Sequence, residues 1–186
     1  MKKLLILVMS LALILCSMSG LAETAEATEK TALGNVGTLD VNGVFAIKSK
    51  IPEGYTYTPI VSDELGLVSQ MASADGSLVV TISIMYNDEY ADIERLNDVD
   101  EENIEIIKQT FLDMDDVAFE DLETAYGTRL LKVTDTFEGM DFVDIYTIYK
   151  GYEMEFVMAK IDGSDLTDDD VKMMVDFISD MDFVAE

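Results

Sequence analysis

Carboxylates are the reactive groups this chain has in quantity. Its 186 residues include 38 Asp and Glu against 12 Lys and Arg, for a net charge of −26. Two groups of acids are notable for their spacing: Asp98, Asp100, Glu101 and Glu102, then Asp165, Asp168, Asp169 and Asp170. Hard oxygen ligands at this density suit Ca²⁺, which makes Asp98, Asp100, Glu102, Asp165, Asp168 and Asp169 the candidate metal ligands. Neither group has the glycine and closing glutamate of an EF-hand loop. Each also precedes a helical pattern, where acids cap backbone amides and offset the positive end of the helix dipole. Position alone therefore explains both groups, and no cofactor is expected beyond a candidate Ca²⁺.

Other chemistries are excluded by residue type. The chain has no histidine, so it cannot build a Ser-His-Asp or Cys-His nucleophile or a histidine-ligated zinc or copper site. Its one cysteine, Cys16, lies in an apolar leader, so a chain without that leader has no thiolate for zinc or iron–sulfur ligation. No glycine-rich phosphate loop is present. Glycoside hydrolysis needs two acids ~5–10 Å apart, but 38 acids guarantee such pairs by chance, and there is no tryptophan to form a sugar platform. No catalytic residue is assigned, and the chain reads as a non-enzyme.

The leader sets the expected compartment. Lys2 and Lys3 precede residues 4–15, which are apolar except for Ser10, and Gly20-Leu21-Ala22 offers small residues for cleavage. This is the anatomy of a secretory signal peptide, and its apolar run is shorter than the ~20 residues that span a bilayer. Residues 1–22 are therefore read as a signal peptide, 23–36 as a flexible polar linker and 37–186 as one domain. The alternative is a lipoprotein anchored through Cys16. It rests on Leu13-Ile14-Leu15-Cys16, but Leu15 stands where a lipidation signal has Gly, Ala or Ser. Loss of Lys2 and Lys3 with the leader makes the charge more negative still. Such a chain repels nucleic acid and anionic membrane surfaces, which leaves a protein or extracellular ligand as partner. The sequence does not specify an oligomeric state.

The elements that must position these groups are mostly strands. Period-two alternation marks residues 44–49, 55–61, 65–72, 77–86, 117–124, 128–137, 141–150 and 152–161, as half-buried strands require. Pro59 predicts an edge position for the second of these. Asp75-Gly76 predicts a hairpin, and Asn42-Gly43 a turn that pairs residues 38–41 with the strand after it. Ile104, Ile107, Phe111 and Met114 predict a helix over 98–114, with Asp98 and Glu101 as its capping box. Val171, Met174, Val175 and Ile178 predict another over 167–180, capped by Thr167 and Asp170. Met154, Met158, Met173, Met174 and Met181 are read as core filler, with Met173 lying off the helix stripe. Glu153 and Glu155 face away from the apolar side of the last strand, and the acids in general are read as a solvated coat. Strands covered by two helices give an α+β domain with an antiparallel sheet of about six or more strands flanked by two main helices.

Phe45-Ala46-Ile47 leading to Ile51-Pro52-Glu53-Gly54-Tyr55 resembles the opening of PsbP-like and DcrB-like domains. The hairpin at Asp75-Gly76, the Gly127-Thr128-Arg129-Leu130 stretch, the pair from Tyr146 to Phe156 and the close from Leu166-Thr167-Asp168 to Phe183 extend that resemblance over residues 44–184. It implies a PsbP-like αβα sandwich in a group whose members mostly bind or assemble rather than catalyse. The expected function is an exported, non-catalytic binding or accessory domain. The alternative is a carboxylate-dependent hydrolase or a calcium-binding surface protein.

Overall fold

Alternating polarity dominates this chain, and the computed structural model is built mainly of strands. It describes residues 36–41, 45–63, 66–111, 117–137 and 139–185. The leader, Cys16, most of the linker, the Asn42-Gly43 turn, Met114 and Glu138 lie outside the described residues. The strands are β1 (Val36–Val41), β2 (Phe45–Lys50), β3 (Tyr55–Asp63), β4 (Gly66–Ser73), β5 (Leu78–Tyr86), β6 (Ala118–Glu123), β7 (Arg129–Phe137), β8 (Met140–Tyr149), β9 (Tyr152–Lys160) and β10 (Asp182–Ala185). The helices are α1 (Glu101–Gln109) and α2 (Asp168–Ser179). Among the described residues no helix is long and apolar enough to cross a membrane.

Seven strands form one antiparallel sheet in the order β3-β4-β5-β9-β8-β7-β6. It consists of two hairpin runs joined along β5 and β9, from Leu78 opposite Lys160 to Tyr86 opposite Tyr152. β3 lies at the edge, as Pro59 requires, and the register slips between Pro59 and Val61. A second sheet pairs β2 with β1 on one side and with β10 on the other. The Asp75 turn is local chemistry. Its carboxylate accepts from Ser73 Oγ at 2.7 Å, Ser77 N–H at 3.0 Å and Ser77 Oγ at 2.8 Å. Those bonds, that from Ser73 foremost, hold its pKa at about 2.

This corrects the expected α+β sandwich, because the body is dominated by sheet. Helices of 9 and 12 residues stand against ten strands among the described residues. The reason is local. α1 stops at Gln109, where the Thr110 hydroxyl turns back onto the Ile107 carbonyl at 2.6 Å, so only Ile104 and Ile107 of the expected stripe lie within the helix. Its N-cap is Asp100, whose side chain accepts from Asn103 N–H at 2.9 Å, rather than Asp98. The chain end, left open between strand and packed tail, adds β10.

Each helix covers part of one sheet face. α2 seats Met174, Phe177 and Ile178 against Met71, Ile82, Met154, Phe156 and Met158. Its Thr167–Asp170 capping box forms as expected. α1 packs on the other face, against Leu131, Val133, Tyr146 and Ile148. A third cluster on that second face contains only strand residues: Val79, Phe142, Val157 and Ala159. Burying both faces overturns one expectation about charge. Glu155 and Asp135 are 5% and 4% exposed, so these acids are not part of a solvated coat. Burial is continuous along β5 from Leu78 to Ile84, so alternating polarity there does not mean alternating exposure.

Candidate functional site

The site is assembled on the β8–β9 hairpin. Lys150 and Gly151 form its two-residue turn, with φ of 50° and 77°, a mirror-image turn that matches strand twist. A Cβ on Gly151 would lie 3.0 Å from the Tyr86 ring and 3.2 Å from Ala91 Cα, so glycine lets the segment after β5 pass closely. Three backbone bonds fasten that segment. Asn87 N–H donates to Gly151 O at 3.0 Å, Lys150 N–H to Glu94 O at 2.9 Å, and Gly151 N–H to Ile93 O at 3.0 Å.

The segment then sets Arg95 opposite Tyr149 in an isolated antiparallel bridge. Directly opposed residues of such a pair project from the same face, and Tyr149 belongs to the α2 side. Arg95 therefore points toward α2 as well. Asp98 locks it there, its carboxylate accepting from Arg95 N–H at 3.1 Å and its own N–H donating to Arg95 O at 2.9 Å. Leu96, fully buried, anchors the turn. Asn97 ties in the β6–β7 turn, donating to Gly127 O and accepting from Arg129 N–H, each at 2.9 Å. That turn carries Tyr126, which is 78% exposed.

Between this arm and the C-terminal end of α2 lies a cavity of about 400 Å³. Met154, Ile178 and Met181, all buried, supply an apolar floor. Thr147 and Tyr149 form one side, and Arg95, Tyr126 and Asp180 stand at the rim. The Thr147 hydroxyl donates to Arg129 O at 3.1 Å, and its oxygen keeps acceptor capacity. Lys108, Arg129, Lys132, Lys160 and Lys172 each carry a carboxylate partner. Among the described residues Arg95, like Lys50 and Lys150, joins no ion pair, in a chain where acids outnumber bases about threefold. Asp180 likewise joins no ion pair there.

The candidate calcium ligands are placed elsewhere, in structural roles. Asp98 closes the Arg95 turn and Asp100 caps α1. Glu101 makes a two-pronged contact with Arg129 at 2.9 and 3.3 Å. With Asp121 it raises the Arg129 pKa. Glu102 is exposed at the start of α1. Asp165 offers its backbone carbonyl to Lys160 at 3.0 Å. Asp168 and Asp169 are exposed in the first turn of α2. Asp170 accepts from Thr167 and pairs with Lys160 at 2.9 Å. Among the described residues no three such side chains gather as a metal-ligating group. Of the methionines, Met154, Met158 and Met174 are wholly buried. Met173, off the stripe, is half-buried beside Lys50, Pro52 and Phe177.

Sequence reasoning missed Arg95, Tyr126 and Asp180. One signal was present, because Arg95 is the single base between Tyr86 and Lys108, a stretch rich in Asp and Glu. No protein-family model matches the chain, and no curated protein matches it significantly.

Proposed function

We propose that the chain is an exported, non-catalytic binding domain whose ligand occupies the cavity between Arg95 and the end of α2. The leader anatomy of residues 1–22 supports export. The observation that carries binding is an apolar floor beneath an arginine that joins no ion pair among the described residues. A concave apolar pocket with a few convergent polar groups is the usual form of a small-ligand site. Among the described lining residues Asp180 is the one carboxylate, whereas acid-pair hydrolysis uses two. This supports binding over hydrolysis.

The reading is tested by calorimetric titration with small apolar compounds, anionic, neutral and cationic. Saturable binding that Met154→Trp blocks, with the melting transition retained, supports the site. Binding unaffected by filling the cavity overturns it.

A further inference from the structure

The rim of the cavity presents two opposite charges, and from this we propose that its ligand is an apolar zwitterion, an α-amino acid or a dipeptide. Its carboxylate would meet Arg95 and its ammonium Asp180. The inference rests on the cavity being the binding site.

Arg95 and Asp180 line the same 400 Å³ space, yet no ion pair joins them or links either to another described residue. A guanidinium fork matches a carboxylate with two parallel hydrogen bonds. Asp180 is the C-cap of α2, where the helix dipole presents its negative end and favours a cation. The last turn of α2 contains no basic residue, although its first turn carries Asp168, Asp169 and Asp170. An ammonium group there supplies the charge that the helix end lacks. Tyr126 stands exposed at the rim and offers a ring face that attracts a cation. Met154, Ile178 and Met181 receive the apolar side chain. The volume lies within the range of small-ligand pockets and accepts one large residue or two smaller ones.

The test is calorimetry on the full chain with L-phenylalanine and with L-alanyl-L-valine. Each is compared with its N-acetyl and C-terminal amide forms. Both caps should weaken binding at least tenfold, the loss of one charge-assisted hydrogen-bonded contact. Arg95→Gln should abolish discrimination between acid and amide, and Asp180→Asn discrimination between amine and acetylated amine. Both residues are exposed, so melting temperatures of the variants should match the parent. The tighter of the two parent compounds identifies the source as free amino acid or peptide. If capped compounds bind as tightly as the zwitterions, the inference fails while the binding site stands. If no compound of any charge binds, the proposed function falls with it.

Discussion

Tyr146 Oη donates a 2.9 Å hydrogen bond to Glu153 Oε1, tying β8 to β9 on the face that carries α1. Asn87 Nδ2 donates to the other carboxylate oxygen at 3.0 Å. The Tyr146 ring is fully buried and meets the edge of Phe111 with centroids 5.8 Å apart. Burial first, then the negative Glu153, holds its phenol well above the ordinary range. Tyr90 is pushed up to about 12 by burial and by Glu153, against a lowering bond from Tyr146.

An alkaline stability limit follows from these two phenols. Both are raised, so their contribution is complete below the ordinary tyrosine value of 10 and is lost as pH climbs through their folded values, about 12 for Tyr90 and also well above 10 for Tyr146. Denaturant titrations should give constant stability up to pH 10 and a decline between 10 and 12. Tyr90→Phe should blunt that decline, and an unchanged alkaline limb would contradict the assignment.

On the acid side Lys160 and Asp170 form one pH-sensitive pair. Partial burial opposes ionisation of Asp170, but hydrogen bonds from Thr167 and the Lys160 ammonium outweigh it and lower its pKa. A lowered carboxylate contributes stability above its ordinary value of 3.8, and that stability is lost as pH falls through the folded value. Asp170→Ala should cost about 1–2 kcal/mol at neutral pH through loss of the cap. It should also shrink the loss of stability below pH 4. Urea midpoints at neutral and acid pH measure both effects.

A backbone test lies at the start of β4. Gly66 has φ of +156°, and a Cβ there would sit 2.0 Å from the Ile84 carbonyl oxygen and 2.8 Å from Met85 Sδ. Gly66→Ala must push β4 from β5 and should cost about 2–4 kcal/mol. Gly76→Ala, also at positive φ but with open space around it, should cost only about 1 kcal/mol. Equal melting temperatures for the two variants would refute this contrast.

Asn97 is expected to matter more to the cavity than to the fold. Removing its side chain deletes the bonds to Gly127 and Arg129, about 1 kcal/mol each. It also frees the turn that presents Tyr126. Asn97→Ala should lower stability by about 1–2 kcal/mol and weaken binding in the cavity. Amide exchange at Gly127 and Thr128 should quicken, and unchanged protection there would refute the staple.

What the sequence made legible was periodicity and turn chemistry. The runs ending at Asp75-Gly76 and Gly151 gave strands within one or two residues of those observed. Pro59 correctly marked an edge. The Thr167–Asp170 box marked a helix start because both partners lie within one turn. What it hid depends on contacts distant along the chain. The joining of β5 to β9 and of β2 to β10 leaves no local trace. Nor does the conversion of Glu155 from surface to interior, which follows from strands buried on both faces. The cavity was invisible for the same reason, since Arg95, Tyr126 and Asp180 meet only after the sheet has formed. The acid groups attracted notice by density, yet Asp98 and Asp100 act through single backbone amides.

The pairing of β2 with β10 sets an order of events. Phe45 finds its partner in Ala185, so the smaller sheet stays one strand short until residues 182–185 are in place. Closing so long a loop is slow, so the smaller sheet forms after the local hairpins of the larger one. A protein clipped just before Asp182 should keep its larger sheet and leave β2 with a bare edge.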